Sequence, residues 1–471
     1  MSAINTNVQS LVAQNALRQN NDALQTSLTR LSTGLKINTG EDDPSGLIAA
    51  NDLKDQQAGI NQAISNAQQA NNVIGTAAGG LTEVSSLLTQ LQSLISETAN
   101  SGGLSSTQVN ANQQQVDSIL STINRVAGST EFGGKQLLSG NYAYTTSSAA
   151  ISAFASIQVN SAQLADNKTT TVVVQVTNSA TTGQVVNTQG TSSLAAAVSL
   201  QVAGTSGTTQ LSFASGTKLS AVAAAFDNVK GATGVSAVAS GATLKIDSTG
   251  YGSSQFVSVS ATAGTFNTSG GTSGKAYGTD AAVTVNGASA TTTGKNVTYS
   301  TNDLDVQFTL SAGLNAGQTK TFGITGGGAT FALGQQVDEA DKASIGIQSV
   351  NTGSLGDATL GFLSSLGSGG ANSLTSGNLS VAQNVLSEAI NQVSTLSGRL
   401  GAFQKYTLGS TINNLSVAYE NASSALSNTE DTDFAAETAN LTRAQILASS
   451  ATTVLTTANS QPQSVLKLLG G

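Results

Sequence analysis

From Leu53 onward an apolar side chain falls at every seventh position: Leu53, Ile60, Ala67, Ile74, Leu81, Leu88 and Ile95. Three residues after most of these stands a second small or apolar residue, Ala63, Ala70, Ala77, Val84 and Leu91, with Gln56 and Thr98 as polar ends. A seam of this kind, held for six heptads, buries itself only against another helix. It predicts one long helix from about Ser45 to Ala99, closed by Asn100-Ser101-Gly102-Gly103.

The chain before this helix is amphipathic but weakly so. Residues 1–40 carry Ile4, Val8 and Leu11, then Leu17, Leu24, Leu28, Leu31 and Leu35, on a background of Asn, Gln, Ser and Thr. A helix this polar does not stand alone, and its stripe must be covered either inside an ordinary bundle or by partner helices. In Glu41-Asp42-Asp43-Pro44-Ser45-Gly46, Asp43 suits an N-cap and Pro44 the first helical position. Three carboxylates could bind a cation, but capping of the helix that follows accounts for them. A third helix is expected from about Thr107 to Ala127, with Val109, Val116 and Ile123 seven apart, ended by Gly128 and Gly133-Gly134.

Between about 141 and 340 the texture changes. Runs such as Thr170–Val176, Leu211-Ser212-Phe213 and Val257–Ser260 are β-branched and alternating, separated by clusters of Gly, Ser, Thr and Asn. Only Leu219–Val229 reads as a short helix, so this is an all-β region of one or two small domains. Its Ser/Thr density fits O-glycosylation and plain strand propensity equally.

Helical texture returns at about 378. Leu386, Val393 and Leu400 are heptad-spaced, with Ala389, Leu396 and Phe403 three further on. The phase then shifts near Tyr406 to Leu408, Leu415 and Ala422, the mark of a helix that changes the face it presents. After a polar break at Asn428–Asp433, a terminal helix is expected from about Asp433 to Asn459. Its alanine face is Ala444, Ala448, Ala451 and Ala458, beside Leu441 and Leu455, and Pro462 is expected to stop it before the apolar tail Val465, Leu466, Leu468 and Leu469. The fold class is therefore α + β: a long coiled-coil-like helical bundle built from both chain ends, with an inserted all-β region. The helical ends can meet only if the chain goes out and comes back.

Composition narrows the chemistry. The 471 residues include no Cys, His or Trp, two Pro and fifty Gly, and only 9% are charged. Disulfides, the commonest metal ligands and an imidazole base are all excluded, and no cofactor is implied. A net charge of −8 argues against a nucleic-acid partner. There is no apolar run of ~18 residues to insert in a membrane, and Met1–Asn5 lacks the pattern of a cleaved signal peptide.

Several stretches resemble bacterial flagellin. They are Ile4-Asn5-Thr6-Asn7, Arg30–Asn38, Asp42-Asp43-Pro44-Ser45-Gly46-Leu47, Asn440–Leu447 and Asn459–Leu466, joined by Arg125-Val126-Ala127 through Phe132-Gly133-Gly134 and by Arg399–Gln404. The middle matches less closely, although Ser199–Phe266 is similar to a small β module of flagellins and hook-associated proteins. The resemblance implies a layered fold. Residues 1–46 and 431–471 form the inner helical domain, residues 47–140 and 341–430 the next helical domain with a hairpin, and residues 141–340 the variable outer β region. It also implies a non-enzymatic subunit of the flagellar filament that serves motility. Such a subunit leaves the cell through the flagellum's own export apparatus without a cleaved signal, and its partners are copies of itself, an export chaperone, and the filament cap and hook-associated proteins.

On that reading the assembly helices carry Ile4, Leu11, Leu24, Leu28, Leu31, Leu35, Leu441, Arg443, Ile446, Leu447, Leu455, Val465, Leu466 and Leu469. A seam by itself does not say whose helix it meets, so plain intramolecular packing stands beside this for each position. One departure concerns the vertebrate flagellin receptor. Flagellins it recognises carry arginines and a glutamate where this chain has Gln90, Gln92 and Gln115, near Leu94, which implies weak receptor binding. The nearest rivals are a hook–filament junction protein and a surface adhesin that uses the β region. A zinc protease in the variable region is excluded, since His-Glu-x-x-His cannot be written without histidine.

Overall fold

The structure, a computed structural model, describes residues 6–100, 103–147, 153–164, 168–187, 190–272, 274–301, 303–336, 338–357 and 360–469, with side chains as far as Ser464. Its helices are α1 (Val8–Thr33), α2 (Pro44–Ala99), α3 (Ser106–Ser129), α4 (Leu219–Asn228), α5 (Lys230–Thr233), α6 (Leu379–Ala402), α7 (Gly409–Glu430) and α8 (Phe434–Leu469). The strands of the two β cores pair antiparallel, and all the strands fall between α3 and α6. Helical ends around an inserted β region are thus the architecture. Two compact units divide the chain. One holds the described residues up to Ala70, Ala332–Asp341 and the chain from Tyr406; the other holds Asn71–Phe331 and Lys342–Lys405.

In the first unit α1 and α8 run antiparallel. Most of their buried and half-buried positions follow a three–four alternation. On α1 it runs through Ser10, Ala13, Leu17, Asn20, Leu24, Ser27 and Leu31, with Ala16 and Arg30 half-buried beside it; on α8 it runs through Glu437, Leu441, Ala444, Ala448, Ala451, Leu455, Ala458 and Pro462. Alanine or serine at seven of these positions permits a close approach. At the other end of the pair the chain crosses over. Gly34 adopts a left-handed φ of 76°, which closes α1 at little cost for a residue without Cβ. Lys36 N donates to Glu430 O at 2.6 Å and Thr432 N to Gly34 O at 2.9 Å, a short antiparallel clasp between the two ends of the chain.

The acidic turn is a capping device. Asp43 Oδ1 accepts from Gly46 N at 2.9 Å and from Ser45 Oγ at 2.8 Å, with Pro44 as the first helical residue. Asp42 Oδ2 accepts from Thr39 N at 2.9 Å and Asn38 N at 3.0 Å, closing the loop before α2. Beyond it, Ile60 and Ala63 of α2 pack with Leu415 and Ala422 of α7, and Tyr419 flanks them.

Two features of the C-terminal helices bear on the expectations. The phase shift near Tyr406 is a π-helical turn, Phe403–Leu408, between α6 and α7. One inserted residue lengthens the Leu400–Leu408 spacing to eight while both side chains stay fully buried. Pro462, by contrast, does not stop the terminal helix, which continues to Leu469. The proline deprives the Ala458 carbonyl of its usual donor, and the Asn7 side chain supplies one, Nδ2 to O at 2.7 Å.

In the second unit the remainder of α2 buries Ile74, Ala77, Leu81, Val84, Leu88, Leu91 and Ile95; α3 buries Val116, Leu120 and Ile123; and α6 buries Val385, Leu386, Ala389, Val393 and Leu400. A capping box, Ser105 with Gln108, opens α3. Asn112 Nδ2 donates to Thr98 Oγ1 at 3.3 Å, so the polar end of the α2 seam is satisfied by α3. Arg399, near the end of α6, donates to Asn160 O at 3.0 Å and Gly346 O at 3.1 Å and so ties that helix to the β region.

Two β cores follow. The first joins a five-stranded sheet to a four-stranded one through Phe154, Phe308 and Phe322, whose rings meet edge to face at 5.2–6.2 Å. The second, nested in sequence between strands Thr170–Asn178 and Ala282–Val285 of the first, pairs two four-stranded sheets around Phe226 of α4. The region therefore holds two small domains, and its short helix lies where the sequence predicts, with the single turn α5 added.

Candidate functional site

The α1/α8 pair is the surface that the sequence singles out. Its seam explains only part of the terminal hydrophobic pattern. Leu24, Leu31, Leu35, Leu441 and Leu455 are half-buried in the first unit. Leu11 and Leu28 of α1 remain 56% and 49% exposed, and Ile446 and Leu447 of α8 remain 61% and 46% exposed. Arg443 also faces outward. Ile4 lies outside the described residues, as do the side chains of Val465, Leu466 and Leu469.

The single stripe read along α1 is thus two stripes. One faces α8; the other, Val8, Leu11, Val12 and Leu28, faces outward. On α8 the outward set is Phe434, Ile446, Leu447 and Val454. Val12 and Val454 escape a strict seven-and-four reading because they sit one position off the seam, beside Ala13 and Leu455, whereas Phe434 is in phase with the α8 seam but stays exposed at the start of that helix. The signal that finds them is width: Val8, Leu11 and Val12 are i, i+3 and i+4 and make a second face.

Energetics mark these faces as incomplete. Alanine and serine in the seam remove little apolar area from water, at ~25 cal/mol per Å², whereas ordering each residue costs ~1–2 kcal/mol of backbone entropy. The local groupings Val8, Leu11 and Val12 on α1 and Ile446, Leu447 and Val454 on α8 are the kind of exposed apolar surface that suits a protein–protein contact.

Charge is concentrated at the crossover end. Arg30 lies 3.6 Å from Asp42 and 4.0 Å from the buried Glu437, and Lys54 Nζ lies 2.6 Å from Glu430 Oε1. The backbone N–H groups of Thr39 and Asn38 hold the Asp42 carboxyl below the usual carboxylate range, and those of Gly46, with the Ser45 hydroxyl, do the same for Asp43. Among the described residues no cluster of three or more acidic side chains could hold a metal ion, and no helix is long and apolar enough to cross a membrane. On α2 and α3, Gln90 and Gln115 are exposed, Gln92 is half-buried and Leu94 is buried.

The two ends of the chain thus pair as helices and leave apolar side chains outward, with β domains carried between them. Comparison with known proteins specifies the family. The bacterial flagellin N-terminal helical region matches residues 4–143, and the bacterial flagellin C-terminal helical region matches residues 383–469. A flagellin of Salmonella typhimurium is 31% identical, covering 99% of both chains. Polar flagellin B/D of Vibrio parahaemolyticus is 26% identical, again with 99% of both chains covered. Among solved structures, the D1-D2-D3 domains of the flagellar cap protein FliD from Escherichia coli share 17% identity, cover 45% of this chain and 64% of their own, and superpose with a TM-score of 0.27. The chain belongs to the bacterial flagellin family and is a structural subunit of the flagellar filament, the organelle of motility.

Proposed function

We propose that the outward stripes of α1 and α8 are the principal contacts by which copies of this chain polymerise. The observation that carries this is the exposure of Leu11, Leu28, Ile446 and Leu447 beside a seam already filled by α1 and α8 themselves. Each subunit meets its neighbours through different patches, and a heterologous contact that does not close on itself grows a helical filament. Residues 1–46 and 431–471 form the innermost layer, residues 47–140 and 341–430 the next, and residues 141–340 the outer β region. Ile4, Val465, Leu466 and Leu469 extend the same apolar surface, and Leu24, Leu31, Leu35, Leu441 and Leu455 hold together the paired chain ends that present it. The role is structural rather than catalytic.

Terminal helices with so little buried area fold on assembly, and an export chaperone covers them beforehand. Export proceeds through the flagellar apparatus without a cleaved signal, and the filament cap and hook-associated proteins meet the same helical ends. The test is seeded elongation followed by electron microscopy. Purified chain lengthens the seeds into filaments; a chain that stays dispersed in the presence of seeds contradicts the reading.

The α2/α3 surface interacts weakly with the vertebrate flagellin receptor, since Gln90, Gln92 and Gln115 offer no charge to anchor it. Restoring charge with Gln90→Arg and Gln92→Arg is expected to raise reporter-cell activation roughly tenfold. Wild-type activation equal to that of a strong agonist flagellin contradicts this.

A further inference from the structure

We infer that Asn7 stands in for the backbone donor that Pro462 lacks, so that α8 runs unbroken past residue 462 only while the start of α1 is docked on it.

In a regular helix the carbonyl of residue 458 accepts the N–H of residue 462. Proline has no N–H, and its ring crowds that same carbonyl, so an interior proline ordinarily ends or kinks a helix. Here the helix continues to Leu469, and the orphaned Ala458 carbonyl accepts Asn7 Nδ2 at 2.7 Å, from a residue 451 positions away in sequence. Ala458 is buried against α1, so water is a poor substitute donor. Asn7 is held in place for this task. Its Oδ1 accepts Ser10 N at 3.0 Å as the N-cap of α1, which turns the amide Nδ2 toward α8. One turn on, Ser10 Oγ donates to Asn459 Oδ1 at 2.7 Å and fixes the register of the two helices.

One side chain thus serves two helices, capping the first and completing the second. Order in the last turns of α8 becomes conditional on the docking of the N-terminal end, which couples the two extremities of the chain.

The inference rests on the self-assembly reading only for the state measured, since the full chain is compared as seeded filaments. The readout is hydrogen exchange of the backbone amides of residues 463–469. Asn7→Ser keeps a capping oxygen but loses the reach to Ala458, and about tenfold faster exchange is expected there. Pro462→Ala restores the backbone donor, so Asn7→Ser combined with Pro462→Ala returns exchange to the wild-type rate. Ser10→Ala removes the neighbouring tie without touching the Ala458 carbonyl, and Pro462→Ala does not correct its effect. Wild-type exchange in Asn7→Ser, or a double variant as fast as Asn7→Ser alone, overturns the inference. Should Asn7→Ser not elongate seeds, recovery of elongation in the double variant supports the coupling and its absence refutes it. If the wild-type chain does not elongate, the self-assembly reading fails, and the same comparison on dispersed chain decides the coupling.

Discussion

Lys54 and Glu430, 376 positions apart in sequence, meet at 2.6 Å where α2 begins and α7 ends. Glu430 is only 5% exposed, and its own carbonyl accepts Lys36 N in the clasp between the chain ends. The ion pair therefore sits where the outgoing and returning halves of the chain are fastened.

Removing the lysine leaves a buried carboxylate without compensation. Lys54 is itself about half exposed, so screening limits the effect, and Lys54→Met is expected to destabilise the first unit by about 1–2 kcal/mol. Glu430→Gln, which removes the charge with the need for it, costs less. The unfolding midpoint in denaturant ranks the two; the reverse ranking contradicts the assigned role.

The outward stripes separate assembly from folding. Leu28→Asp and Ile446→Asp alter exposed positions and change the unfolding midpoint of the dispersed chain by less than about 0.5 kcal/mol, yet reduce seeded elongation at least tenfold. Leu35→Asp, which disturbs the half-buried crossover that holds the two chain ends together, and Leu466→Asp are also expected to block polymerisation while the β domains stay folded. Normal filaments from all four variants contradict the outward-stripe account.

The π turn makes a register prediction. Deleting the exposed Tyr406 shortens the Leu400–Leu408 spacing to seven, which a regular helix accommodates on one face. The deletion variant should keep its helicity and lose at most ~1 kcal/mol. Deleting Leu396 instead, inside the unbroken heptads, throws every later core position out of phase and should cost several times more. Circular dichroism melts distinguish the two, and equal losses contradict the reading of 403–408 as an inserted residue.

Acid should loosen the neck between the two β domains. Asp280 Oδ2 accepts Ser253 Oγ at 2.5 Å, and Oδ1 accepts Gly294 N at 2.6 Å and Ser253 N at 3.0 Å. The Ser253 hydroxyl first, then the Gly294 and Ser253 amides, hold this carboxyl below its ordinary value. Since the folded pKa lies below the unfolded one, the stabilisation is complete above the unfolded value of ~4 and fades as pH falls from there through the folded value. Amide exchange at Ser253 and Gly294, corrected for intrinsic rates, should rise over that window in wild type and show no such step in Asp280→Asn. A step of equal size in both contradicts the assignment.

Periodicity made the helical architecture legible because heptads report burial directly: Ile60, Ile74, Leu81, Leu88 and Ile95, predicted as seam residues, are all buried. Even the π turn left a trace, the eight-residue step from Leu400 to Leu408. The turn Asp42-Asp43-Pro44 was readable too, since capping is local chemistry. What depends on distant neighbours was not. Pro462 carries a local stop signal, and only Asn7, at the other end of the chain, cancels it. The stripe of α1 looked single because spacing cannot separate residues that face α8, such as Leu24, from those one step round the helix that face outward, such as Leu28. In the β region alternation marked strands but not partners, so the nesting of one β core between two strands of the other could not be read from Thr170–Val176 or Val257–Ser260 alone.

The central claim is that the outward faces of α1 and α8 are covered by other copies of the chain. Hydrogen exchange of residues 8–33 and 434–464, compared between dispersed chain and seeded filaments, tests it most directly. The account predicts that both segments exchange freely when dispersed and become protected by at least about a hundredfold on assembly, while the core strands around Phe322 stay unchanged. Terminal segments equally protected in both states, or filaments that form with those segments still exchanging freely, would contradict it.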